Sequence, residues 1–187
     1  MSGFSLPSQF TRSVPEGDTH ERDVCGTCGF VHYVNPKIVT GSIVRHDGRI
    51  LLCRRAIEPR IGFWTLPAGF MEVGETAEAA ARREAQEEAN AEIVIDRLLA
   101  VYTIPRIAQV QIMYLAHLAN PSFSPGVESL EVKLSGWDEM PWDELAFPSV
   151  RWALEQYRSI EGATDFAPFS NPPGEFGDPP PQGLASS

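Results

Sequence analysis

Three glutamates, Glu84, Glu87 and Glu88, fall at i, i+3 and i+4 of an Ala-, Glu- and Arg-rich stretch, residues 76–89. A helix there carries all three on one face. Like charges stacked in this way disfavour a helix by about 0.2–0.5 kcal/mol per pair. A hard divalent cation with oxygen ligands, Mg²⁺ or Mn²⁺, removes that penalty. The competing reading is a charged outer face, because charge runs on helices commonly point to water. The residues upstream favour the cation: Gly69, five residues, Glu75, seven residues, Arg83-Glu84, Ala85, Gln86, Glu87-Glu88. Arg83 stands next to Glu84 and four residues before Glu87, placed to hold a carboxylate by a charge-assisted bond. Glu75, just ahead of the helix, suits the positive end of its dipole.

This spacing resembles the Nudix box of the Nudix hydrolases. The family pattern closes with a glycine and an aliphatic residue, where this chain has Asn90 and Ala91. Asn is the usual second choice after Gly for a left-handed residue ending a helix. The resemblance implies a dication on Glu84, Glu87 and Glu88, with the backbone carbonyl near Ala68 or Gly69 as a further ligand. It also implies that Glu75 orients Arg83. The chemistry is diphosphate cleavage, in which the metal neutralises charge developing as a P–O bond breaks. The base that takes a proton from water is, in this family, either a box glutamate or a glutamate on a loop outside it. Glu128 and Glu131 are the loop candidates, with Glu131 preferred as base or metal ligand and solvation as its bland alternative.

The elements that must position these groups are legible in outline. Residues 1–36 read as an irregular leader carrying Cys25-Gly-Thr-Cys28 and ending at Asn35-Pro36, and the folded domain spans residues 37–161. Runs 37–45 and 49–54 are β-rich on either side of His46-Asp47-Gly48, whose Asp-Gly pair suits a tight hairpin. A short strand at 63–66 leads into Pro67-Ala68-Gly69, so the box is loop, then helix. Strands are expected at 91–104, 110–119 and 131–137, and a helix at 148–160 with Val150, Trp152, Ala153, Leu154 and Tyr157 on its apolar side. Residues 162–187 are dense in Pro, Gly and Ser, the composition of a flexible tail. The element order suits an α/β fold, an α/β/α sandwich around a mixed sheet, as the resemblance also implies.

Composition narrows the partners. The 187 residues are 43% apolar with a net charge of −10, enough for one packed core and opposed to a general nucleic-acid binder, which carries a basic stripe. No stretch reaches membrane-spanning length, and residues 1–10 lack the basic and apolar regions of a signal peptide, which suggests a cytoplasmic protein. Three cysteines, Cys25, Cys28 and Cys53, are too few and too scattered for a disulfide framework. Cys25 and Cys28 have the knuckle spacing of a zinc site, but structural zinc wants four ligands. Relatives carry a second pair near the position of Gly3 to Leu6, which has no cysteine in this chain. His20 and His32 are possible substitutes; loss of the metal and a redox CxxC are the alternatives.

The wider sequence resembles the Nudix subgroup that cleaves FAD and ADP-ribose, through Cys25-x-x-Cys28-Gly, Tyr33-x-Asn35-Pro36-Lys37, Leu51 to Arg55, Trp64 to Gly69 and Pro125-Gly126-x-Glu128-Ser129-Leu130-Glu131. Pro105 matches a proline associated with ADP-ribose-cleaving members. The motif that marks NADH pyrophosphatases is not apparent in residues 104–109. A dinucleotide needs cations for its phosphates and flat surfaces for its rings. Arg54, Arg55, Arg60 and Arg106 are candidates for the first, and Phe63, Trp64, Phe70 and Tyr102 for the second, each with surface pairing or core packing as its alternative. A homodimer is a further implication of the resemblance. Alternatives to this enzyme are an NADH pyrophosphatase, a non-catalytic Nudix nucleotide sensor and a zinc-ribbon nucleic-acid module.

Overall fold

A computed structural model describes residues 9–163 and 165–177, and the chain divides into two units, 1–36 and 37–187. The first unit, expected to be irregular, holds a small antiparallel sheet: β1 (Phe10–Ser13), β2 (Arg22–Cys25) and β3 (Val31–His32), in the order β1-β2-β3. Its strands are two to four residues long and mostly half-buried, with Cys25 their one buried residue. They therefore lack the alternation that marks a strand with one buried face. Turn bonds at the cysteine knuckle tie the strands together, with Cys25 N donating to Phe30 O and Gly29 N to Cys25 O.

In the second unit the strands are β4 (Lys37–His46), β5 (Arg49–Arg55), β6 (Trp64–Thr65), β7 (Ala68–Phe70), β8 (Ile93–Ile104), β9 (Gln109–Leu118) and β10 (Ser129–Ser135). The helices are α1 (Ala77–Ala89) and α2 (Pro148–Ser159). The main sheet runs β10-β5-β4-β9-β8, with β6 on β5 and β7 on β4. β4 and β9 are parallel and the other pairs antiparallel, which makes the sheet mixed. Asp47 and Gly48 both take positive φ in the β4–β5 hairpin, the conformation an Asp-Gly turn supplies.

Strand periodicity builds two cores from one sheet. Along β5, Ile50 and Leu52 pack with Trp152, Leu154 and Tyr157 of α2, while Leu51 and Cys53 pack with Ala85 and Ala89 of α1. β4 divides in the same way between Ile43 and Val44, and β9 between Leu115 and Ala116. Each face thus needs its own helix, and the result is the α/β/α sandwich expected from the element order. Among the described residues no helix is long and apolar enough to cross a membrane.

Part of the Pro-rich C-terminal stretch lies along the edge of the main sheet. Phe169 N donates to Leu99 O and Val101 N to Phe169 O, and the Asn171 amide accepts from Thr103 N and donates to Thr103 O, both at 2.9 Å. The Asn171 side chain replaces a neighbouring strand's peptide, and Glu175 accepts from Trp152 Nε1. Residues 178–187 of the expected flexible tail lie outside the described residues. Asn171→Ala should speed hydrogen exchange of the Thr103 amide about fivefold, since a net hydrogen bond is worth about 1 kcal/mol. Unchanged exchange at Thr103 would show that the side chain does not hold this edge.

Candidate active site

α1 starts where its cap dictates. Thr76 is extended and its hydroxyl accepts from Ala79 N, and the helix ends at Asn90 with φ 45°, in the left-handed region. The inward face of α1 consists of Ala80, Ala81, Ala85 and Ala89 together with Glu84 and Glu88. Alanine lets the helix approach the sheet closely, and that approach takes two carboxylates out of water. Glu84 and Glu88 are 7% and 5% exposed. The single face expected for the three glutamates is therefore graded: two are buried and the Glu87 side chain is 56% exposed.

Burial sets their proton affinities. Desolvation pushes Glu88 up to about 8, although the backbone N–H of Ala68 donates to its carboxylate. Desolvation also raises Glu84, against the pull of Arg83. Arg83 is the hub of the box. Its Nε and Nη2 grip both oxygens of Glu75 at 3.2 and 2.8 Å, and Nη1 reaches Glu84 at 2.7 Å and Glu87 at 2.9 Å. Nη2 also donates to Phe70 O. The Arg83 hydrogen bonds hold Glu75 below the usual carboxylate range, and Glu75 in turn holds Arg83 charged. Glu75 is fixed further by the Glu72 amide at 2.6 Å.

With Arg83 between Glu84 and Glu87, no three metal-ligating side chains converge on one point among the described residues. The donor set nevertheless fits an oxygen-ligated dication. Arg83 makes no bond to Glu88, whose buried carboxylate is held by the Ala68 amide and faces the charge of Arg55. Gly69 leaves the Glu84 carboxylate room that any Cβ would occupy. The residues that would hold the ion are Glu84, Glu87 and Glu88, with the carbonyls of Ala68 and Gly69 beside them.

These groups open onto a cavity of about 790 Å³. Its wall includes Ala68, Gly69, Phe70, Arg83, Glu84, Glu87, Glu88 and Glu128, and also Arg55, Arg60 and Arg106. Arg55 Nε donates to Pro59 O and Arg60 Nε to Ala146 O, so main-chain carbonyls aim both guanidiniums. Arg55 also stacks on Phe147, and Lys37 on Phe70.

Other expected site residues stand outside this wall. Trp64 is buried in the α2-side core with Lys133 Nζ over its ring at 4.4 Å, Phe63 carries the Arg60 guanidinium at 4.5 Å, and Arg54 donates to Gly62 O. Tyr102 is wholly buried and donates to Gln156. Pairing of β6 with β5 explains the first and third: Trp64 lies opposite Arg54, whereas the next residue, Thr65, lines the cavity. Glu131, preferred above, is 51% exposed and paired with Arg54 at 3.6 Å, while Glu128 is in the wall. A register shift between Ser129 and Glu131, where β10 meets β5, separates the two. The wall also uses Gln109 and Gln111 of β9, which sequence reasoning passed over. Their signal is two amides two residues apart at the head of an apolar strand, hence on one face.

In the first unit Cys25 is buried and Cys28 exposed, and backbone N–H groups of Cys28 and Thr27 hold the Cys25 thiol below its ordinary range. The knuckle turn is present, but no third ligand joins it among the described residues, and His20 bonds Thr19 instead. The segment Gly3 to Leu6 lies outside the described residues.

Known proteins place this geometry. Residues 35–160 match the NUDIX domain family, and residues 8–34 match the family described as Nudix N-terminal, a zinc-ribbon family. An ADP-ribose pyrophosphatase of Methanocaldococcus jannaschii is 31% identical over 119 residues, 62% of this chain and 69% of that protein. A NAD-capped RNA hydrolase NudC of Vibrio atlanticus is 32% identical over 128 residues; they make up 67% of this chain but only 44% of that protein. Among solved structures, a NUDIX hydrolase from Nitrosomonas europaea superposes with a TM-score of 0.82 at 44% identity, covering 86% of this chain and 92% of that one. The box on α1, the sandwich that buries it and a family match across most of the second unit converge: the chain belongs to the Nudix family and is a Nudix hydrolase.

Proposed function

We propose that this hydrolase cleaves the diphosphate of ADP-linked molecules, ADP-ribose or FAD, with Mg²⁺ or Mn²⁺ held by Glu84, Glu87 and Glu88. Water adds to one phosphorus, the bridging P–O bond breaks, and the products are AMP with ribose 5-phosphate or with FMN. The observation that carries this reading is one cavity whose wall combines desolvated carboxylates with Arg55, Arg60 and Arg106. When bound, the dication supplies neutralisation of charge on the diphosphate oxygens. The rest falls to the chain. Arg83 and Glu75 hold the box glutamates in place, and the arginines offset phosphate charge. Phe70, half exposed in the wall, offers a flat surface to a ring. Glu128 takes the proton from the attacking water; its place in the wall favours it over Glu131 for that role.

The similarity to an ADP-ribose pyrophosphatase ranks ADP-ribose first. The similarity to NAD-capped RNA hydrolases supports a second reading, in which NADH or an NAD-type cap is the substrate. Turnover with Mg²⁺ on ADP-ribose, FAD, NADH and NAD-capped RNA separates them. ADP-ribose should exceed NADH by at least about tenfold in kcat/KM, or about 1.4 kcal/mol of transition-state discrimination. NADH or capped RNA as the best substrate would replace the first reading with the second, and binding without AMP release would make the protein a nucleotide sensor. A cytoplasmic homodimer completes the proposal, its assembly checked by sedimentation. Zinc on Cys25 and Cys28 needs ligands beyond the described knuckle, and metal analysis of the purified protein decides it.

A further inference from the structure

We propose that Asn90, at the box position where the family pattern has glycine, is a positioning residue that sets Glu128 in the cavity. The inference rests on the role given to Glu128 above. Asn90 does two jobs at once. Its backbone ends α1 in the left-handed region, which glycine would do equally well. Its side chain does what glycine cannot: Nδ2 lies 3.1 Å from Ser124 Oγ, 3.2 Å from Ser124 O and 3.0 Å from Pro125 O. Two amide protons are thus shared among three acceptors of one loop.

The main chain joins the same clamp. Ser124 N donates to Ala89 O at 2.9 Å and Gly126 N to Glu88 O at 3.0 Å, so the loop satisfies carbonyls left open at the end of α1. Gly126 packs so tightly on the Glu87 carbonyl that a Cβ there would overlap it. The segment is then held again just beyond, where Ser129 N bonds Gly126 O and Ala56 N bonds Glu128 O. Glu128 therefore sits on a short span between two fixed points, one of which is Asn90. That span places it in the cavity wall with Glu84, Glu87 and Glu88. A proton acceptor misplaced by about 1 Å loses on the order of a hundredfold in rate.

Asn90→Gly is the direct test, because it keeps the helix end and removes only the clamp. Its kcat should fall about tenfold, with KM for the substrate within about twofold and the thermal midpoint nearly unchanged. Asn90→Asp should fall similarly, since a carboxylate cannot donate to the loop carbonyls. In the Glu128→Gln background, Asn90→Gly should cost no further turnover, because both changes act through one group. Wild-type kcat in Asn90→Gly overturns the proposal, and so does a full additional loss in the Glu128→Gln background. Full turnover in Glu128→Gln by itself is a different result: it refutes the role of Glu128, and the positioning of Glu128 with it, while leaving the metal site standing.

Discussion

Glu88→Gln is expected to raise the thermal midpoint of the metal-free protein at pH 8 while lowering turnover by about three orders of magnitude. The opposite signs have one cause. An unfolded glutamate titrates near 4.5, whereas burial pushes Glu88 up to about 8 in the folded chain. Between those values the folded protein keeps a proton that the unfolded chain has released. Stability of the metal-free protein therefore falls as pH rises through this window, and the loss is complete above about pH 8. At about 1.4 kcal/mol per pKa unit, the cost is on the order of several kcal/mol. Glu84, also raised by desolvation, contributes a slope of the same sign.

Glutamine has no proton to lose and can still accept from the Ala68 amide, so Glu88→Gln escapes the Glu88 part of that fall. The same change removes a carboxylate from the proposed dication site; neutralisation of a diphosphate by such an ion is worth several kcal/mol, or about a thousandfold at 1.4 kcal/mol per decade. In the wild type, Mg²⁺ should flatten the slope by taking the place of the proton. Thermal melts from pH 5 to 9, with EDTA and with Mg²⁺, together with kcat, check all three statements. A flat melt profile in EDTA, or a variant less stable than wild type at pH 8, would sink the account of Glu88.

Arg83→Met is expected to damage stability and activity together. Arg83 makes five hydrogen bonds, to Glu75, Glu84, Glu87 and Phe70 O. Methionine keeps much of the stem volume but leaves three carboxylates, one of them buried, without their cation. Breaking a fully buried pair costs about 3–5 kcal/mol; this partly open cluster should lose about 2 kcal/mol, or roughly 5 °C in thermal midpoint. Turnover should fall up to about a hundredfold, the usual cost of removing a group that orients metal ligands. Arg83→Lys should recover little, because an ammonium cannot fork across Glu75 while reaching Glu84 and Glu87. Melts and steady-state kinetics on both variants suffice, and wild-type behaviour of Arg83→Lys would refute the hub.

Much of this was readable without coordinates. The bounds 37–45 and 49–54 agree with β4 and β5 within one residue because β-rich apolar runs and an Asp-Gly turn are local signals. The helix was placed within one residue because Thr76 and Asn90 cap it. The leader's strands escaped notice because two to four residues with a single buried side chain among them leave no periodicity. The aromatic candidates divided unpredictably: Phe70 faces the cavity, while Trp64 and Tyr102 fill the core. Ring chemistry is the same in both settings, and only the partner strand decides which side is lined.

The sequence by itself determined which carboxylates the box helix carries together, because i, i+3 and i+4 spacing fixes a helix face whatever surrounds it. It also determined the cap at Asn90 and the element order that suits a helix on each side of the sheet. Tertiary structure decided how far each carboxylate is dehydrated, since that depends on how closely alanines let α1 approach the sheet. It decided that Glu128 rather than Glu131 lies in the wall, through a register shift against β5. It also laid Phe169 and Asn171 along β8, where one asparagine amide does the work of a strand. Each of these depends on contacts between segments far apart in the chain, and local spacing carries no record of them.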